Sequence, residues 1–150
     1  MQTRSLSYAQ LFTRVALSFS LLSAVADRFG IWGPPGTHGV AWGNFANFIT
    51  YAGSLMPYAG AAGTLYLGLA ATAFELIFGV LLLLGLKTRL TAIGSCLLFL
   101  TFALSMTFTS GPEAPLSYSV WVDAAAAALL ASIGEYRWSF DAVLNKPRRR

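Results

Sequence analysis

Four stretches of this chain run for close to twenty residues with almost no charge: 11–29, 64–86, 90–108 and 118–134. An α-helix needs about 20 apolar residues, at about 1.5 Å each, to cross a hydrocarbon core of roughly 30 Å. Lipid offers no partner for backbone N–H and C=O groups, so runs of this length read as helices that satisfy themselves. The composition agrees. Apolar residues make up 56% of the chain and charged residues only 11%, against about 25% charged in soluble domains. With 150 residues there is room for one domain. The expected fold is all-α, an integral membrane four-helix bundle. A rival reading touches only the first span, where Arg14, the apolar stretch 15–25 and Ala24-Val25-Ala26 resemble a cleavable secretory signal. Cleavage would leave three spans in the same orientation.

The connection 30–63 has a character of its own. Gly33-Pro34-Pro35-Gly36 demands a turn. After it, Phe45, Phe48, Ile49, Ala52, Leu55 and Met56 recur at helical spacing, opposite Asn44, Asn47, Thr50 and Ser54. The spacing predicts an uncharged amphipathic helix over 44–56, at the outer interface. Trp32 and Trp42 would anchor it at headgroup level. With Phe45 and Phe48 they could line an outer cap over the bundle.

Basic residues set the topology. Arg4, Arg14, Lys87, Arg89, Arg137, Lys146 and Arg148 to Arg150 fall on one side of the four-span arrangement, and only Arg28 on the other. Lys and Arg favour the cytoplasmic side, so both termini and the 86–90 turn are expected there. The basic tail 135–150 is expected against anionic lipid rather than nucleic acid. A single cysteine, Cys96, permits no intramolecular disulfide. One histidine, His38, leaves no bis-His haem site, and no metal ligand set is expected. His38 reads as an exposed loop residue and Cys96 as a small apolar filler.

Three ionisable residues lie inside the spans: Arg14, Glu75 and Asp123. An intramembrane carboxylate belongs toward the bundle interior. Gly68, Ala71, Thr72 and Gly79 give Glu75 a face of small residues, suited to close helix approach. Thr91, Ser95, Thr101, Ser105 and Thr109 form a hydroxyl stripe on the third span that could turn toward it. Counting helical rise from the cytoplasmic side puts Arg14 and Glu75 within about 10 Å in depth, which predicts an Arg14–Glu75 pair. Asp123 is expected to meet Arg28, in competition with Asp27. Each group has a structural reading beside the functional one, since buried polar groups also fix helix register.

The pattern resembles the DoxX/DoxD-like family of small four-helix bacterial membrane proteins. The matching residues are Arg14, the run Glu75-Leu76-Ile77-Phe78-Gly79-Val80 and its continuation through Gly85-Leu86-Lys87-Thr88-Arg89. Ala26-Asp27-Arg28-Phe29-Gly30-Ile31-Trp32-Gly33-Pro34-Pro35-Gly36, followed by Trp42-Gly43-Asn44-Phe45, resembles one bacterial subgroup. The resemblance implies a bacterial cytoplasmic (inner) membrane protein that supports quinone-linked redox chemistry. Related thiol-redox proteins carry paired cysteines, and this chain departs from them.

Three functional readings follow. The first is an accessory subunit of a quinone-linked redox system, with a polar site around Glu75 and a partner subunit carrying the redox cofactor. The second is a binding or transport protein for a small lipophilic molecule, and the third a structural or assembly protein. A homo-oligomer is compatible with each. The sequence carries no self-contained catalytic or redox centre.

Overall fold

A computed structural model describes residues 4–144, and those residues contain seven helices and no strand. They are α1 (Arg4–Arg28), α2 (Phe45–Leu55), α3 (Gly60–Leu84), α4 (Thr88–Ser110), α5 (Glu113–Ser117), α6 (Val120–Ser132) and α7 (Phe140–Leu144). The fold is all-α. Three of these, α1, α3 and α4, are long and apolar enough to cross a membrane. Lys146 and Arg148 to Arg150, the end of the expected basic tail, lie outside the described residues.

The expected fourth span, 118–134, is shorter as a helix. Its 13 residues in α6 rise about 20 Å, less than a hydrocarbon core needs. The interruption is local. Ser119 takes a left-handed backbone (φ 58°), which sets α6 off from the short α5 before it.

The distribution of side chains is inverted relative to a soluble protein. Phe12, Phe19, Leu90, Leu97, Phe108 and Leu129 stand exposed, while Arg14, Arg28 and Glu75 are buried. Exposed apolar surface on this scale suits a lipid surround. The apolar core is small and lies where α1, α3, α4 and α6 meet, around Leu17, Leu21, Leu82, Ala92, Phe99, Ala127 and Leu130. Cys96 packs half-buried at its margin.

Helix pairs form through small residues. α1 packs chiefly on α3, and α4 on α6. A Cβ at Gly79 would sit 2.7 Å from Leu22 Cγ and 3.4 Å from the Ser18 carbonyl, so glycine lets α1 approach closely. Ser18 Oγ donates to the Gly79 carbonyl at 2.7 Å across the same contact. The hydroxyl stripe on α4 divides. Thr91 and Ser95 are buried, whereas Thr101 and Thr109 face outward and donate to their own i−4 carbonyls. The small face around Glu75 therefore meets α1 and α2, not this stripe.

The α3–α4 turn is built on Gly85 (φ 67°), whose N–H and that of Leu86 return to the Leu82 and Leu81 carbonyls. This left-handed ending satisfies the last carbonyls of α3. A side chain at Gly85 would overlap the Arg14 guanidinium and Ser139. The segment after α6 lies beside this turn, Asp141 N–H donating to the Gly85 carbonyl at 3.0 Å, and the 29–59 connection with α2 lies at the opposite end of α3.

Candidate functional site

The most unusual cluster sits at the capped end and begins with two adjacent residues of opposite charge, Asp27 and Arg28, in the last turn of α1. Their side chains do different things. The Asp27 carboxylate accepts hydrogen bonds from the backbone N–H groups of Ala41 (3.1 Å), Trp42 (3.0 Å) and Gly43 (3.3 Å). It ties the connection back onto the helix that launched it. Gly43 has φ 66°, and a Cβ there would collide with the Pro34–Pro35 backbone, so the Pro-Pro turn nests directly against it.

This fold-back delivers Trp42 and α2 over the helix ends. Asn44 caps α2, its side chain accepting from Asn47 N–H at 2.8 Å. Asn47 Nδ2 returns a bond to the Trp42 carbonyl at 3.0 Å. α2 then buries Phe48 and Ala52. A Cβ at Gly68 of α3 would meet the side chains of Ile49 and Phe48, so α2 is folded onto the first turns of α3.

Beneath that roof, Arg28 points inward. Its Nη1 and Nη2 both donate to the Glu75 carboxylate, the latter at 2.8 Å, making a two-pronged ion pair. Both residues are 3% exposed. Nη1 also donates to Thr72 Oγ1 at 2.7 Å, and Thr72 in turn donates to the Gly68 carbonyl at 2.8 Å. Phe48 lies 3.7 Å and Trp42 5.3 Å from the guanidinium carbon, measured to the ring centroids. Aromatic faces attract a desolvated cation, so the charge that leaves water is met on two sides. Phe45 extends the roof, stacked with Phe29 and tilted against Phe48.

Several expectations change here. Glu75 pairs with Arg28, not Arg14. The helices run antiparallel with Gly79 beside Ser18 and Leu22, and with Gly85 beside Arg14. Arg14 thus lies ten residues along α3 from Glu75, about 15 Å, beyond side-chain reach. Asp123 does not meet Arg28; its Oδ2 accepts from Ser20 Oγ at 3.2 Å on the α1–α6 seam. Trp32 does not line the cap. It is exposed and folds down α1, its indole N–H shared between Ser23 O and Oγ. His38 is exposed in the connection.

Arg14 builds a second buried polar cluster at the opposite end. It is 2% exposed, and Nη2 donates to the Trp138 carbonyl at 2.6 Å. One turn earlier, Gln10 Nε2 donates to the Arg137 carbonyl at 2.9 Å. Tyr8 stacks on Trp138 with ring centroids 5.2 Å apart. Asp141 accepts from the backbone N–H of Lys87 (2.8 Å) and Thr88 (2.7 Å). Partial burial raises the pKa of that carboxyl, but the hydrogen bonds from Thr88 and Lys87 and the nearby Arg14 charge outweigh it and hold the group below its usual range. The segment after α6 is thereby latched across the ends of α1, α3 and α4. Nothing in the sequence marked Trp138 and Asp141 as its contacts.

Chemically, neither cluster offers a nucleophile beside a base. Among the described residues no group of three His, Cys, Asp or Glu could hold a metal ion. Comparison with protein-family models, curated proteins and solved structures gave no match to the chain.

Proposed function

We propose that this chain is a multi-pass accessory subunit of the DoxX/DoxD-like kind, serving a quinone-linked redox system in a bacterial cytoplasmic membrane. In this reading α1, α3 and α4, with the α5–α6 segment as a shortened fourth member, form a membrane bundle with both ends cytoplasmic. The observation that carries it is the Arg28–Glu75 pair, buried among apolar helices beneath Trp42 and Phe48. Ionisable residues at membrane depth are costly and face the protein interior.

The geometry favours an accessory role over catalysis. Both Glu75 oxygens are taken by Arg28, and the guanidinium is enclosed by Thr72 and the two rings. The residues around Glu75 therefore do not fit a quinone, which we assign to the partner that carries the redox cofactor. The pair instead gives the outer cap a fixed shape for such a partner to dock on. A purely structural role is the second reading, and the same closed geometry favours it.

Affinity purification in mild detergent tests the proposal, with identification of copurifying proteins and quinone. A redox subunit and quinone are expected with the wild-type chain and reduced amounts with Glu75→Gln. Purification of an intact chain with neither would overturn it. If the apolar double variant Arg28→Met/Glu75→Leu keeps the partner, the pair acts by packing alone.

A further inference from the structure

The α1–α6 seam is tied at two points and open between and beside them. Ser20 and Asp123 bridge it toward the capped end, and Gln10 reaches across to the Arg137 carbonyl near the chain ends. Along this stretch the two helices present Ala9, Thr13 and Ala126, too small to fill the space, walled by Leu6, Leu129 and Ile133. The result is a mostly apolar trough of about 350 Å³, open along one flank. It spans eight residues of α1, from Leu6 to Thr13, which is about 10 Å.

The trough ends where exposed basic residues gather. Arg4 lies just before Leu6 in α1, and Arg137 just after Ile133. Lys87 and Arg89 are exposed toward the same end of the bundle, so among the described residues four exposed bases accompany two acids there, Glu135 and Asp141. A slot for a flexible apolar chain thus opens beneath an excess of positive charge. A docked helix would need a broad face, whereas a single acyl chain needs only a narrow channel.

We propose that the α1–α6 trough is a binding site for an anionic glycerophospholipid, one acyl chain lying between Ala9, Thr13 and Ala126 and the headgroup held at Arg4 and Arg137. The site rests on the reading that these helices lie in a bilayer, and not on any redox partner.

The probe is phosphatidylglycerol against phosphatidylcholine of the same chains, added to the full chain in mild detergent and read by native mass spectrometry. One phosphatidylglycerol is expected to stay bound in preference to phosphatidylcholine. Arg137→Gln should lower that preference about fivefold, the weight of one basic residue near an anionic surface. Ala126→Leu and Thr13→Leu should each abolish retention, with an unchanged melting temperature certifying the fold. A phosphatidylglycerol with a diazirine in its chain should label α1 and α6 at the trough. Equal retention of the two lipids, retention unaffected by the filling variants, or labelling spread evenly over all helices would each overturn the proposal. So would a lipid-free dimer closed over this seam. Extraction of the chain from membranes by alkaline carbonate would instead refute the bilayer reading beneath it.

Discussion

Replacing Glu75 by Gln removes the counter-charge of Arg28 while keeping the shape of the site. The guanidinium would then sit 3% exposed with no carboxylate beside it. Removing one partner of a buried pair costs about 3–5 kcal/mol, because the other charge stays desolvated. Glutamine still offers one oxygen to Nη2, and a retained hydrogen bond is worth about 1 kcal/mol. The contacts to Thr72, Phe48 and Trp42 exist before and after the change, so they offset nothing. The expected loss is about 2–4 kcal/mol. Arg28→Met/Glu75→Leu removes both charges and should return to within about 1 kcal/mol of wild type, since apolar replacement of a buried pair is often neutral. Reversible unfolding in mixed micelles, followed by circular dichroism, measures this. The pairing of Arg14 gives the control. Arg14→Gln combined with Glu75→Gln should be additive within about 0.5 kcal/mol, because the two sites are far apart. A Glu75→Gln variant as stable as wild type, or a double variant as damaged as the single, would refute the reasoning.

Other perturbations probe the supports of the two ends. Asp27→Ala leaves three amides of the connection without their acceptor and should cost about 2–3 kcal/mol, with faster hydrogen exchange at Trp42 and Gly43. Gly79→Val forces a side chain into Leu22 and Ser18 and should lower stability by about 1–3 kcal/mol, read as a fall in melting temperature. The Asp141 latch has a defined pH dependence. Its folded pKa is lowered, so its contribution is present above the unfolded value, about 3.9, and fades as pH falls through the lower folded value. Protease cleavage within 135–144 should stay slow at pH 5 and rise only in stronger acid, and Asp141→Asn should be cleaved readily at both.

The periodicity of the chain made its long helices legible. The expected spans 11–29, 64–86 and 90–108 correspond to α1, α3 and α4, and the expected outer helix 44–56 to α2 (Phe45–Leu55). Apolar runs and helical spacing are local signals, readable without knowing what packs on what. The burial of Gly68, Thr72, Glu75 and Gly79 was legible for the same reason. The ion pair was not, because depth along one helix does not fix its stagger against another. The start of α3 packs on α2, which displaces Glu75 toward the end of α1 and out of reach of Arg14. Asp123 was misassigned by the same step, since Arg28 was already committed. Trp32 was misplaced because composition marks it as interfacial without saying which way the chain turns after Gly30. The latch at Trp138 and Asp141 depends on long-range contacts to Arg14 and Thr88, which no local pattern announces.

The Arg28–Glu75 contact joins residues 47 positions apart, and that separation has a consequence for how the chain is made. When α1 has been synthesised, Arg28 has no carboxylate to meet, and its neighbour Asp27 is aimed at amides that have not yet emerged. Both demands are met later, by the connection for Asp27 and by α3 for Arg28. The Arg28 guanidinium can therefore meet its carboxylate only after α3 has been made. A chain arrested between them would carry the Arg28 guanidinium at the C-terminal end of α1 without the Glu75 carboxylate, and the complete hairpin supplies it.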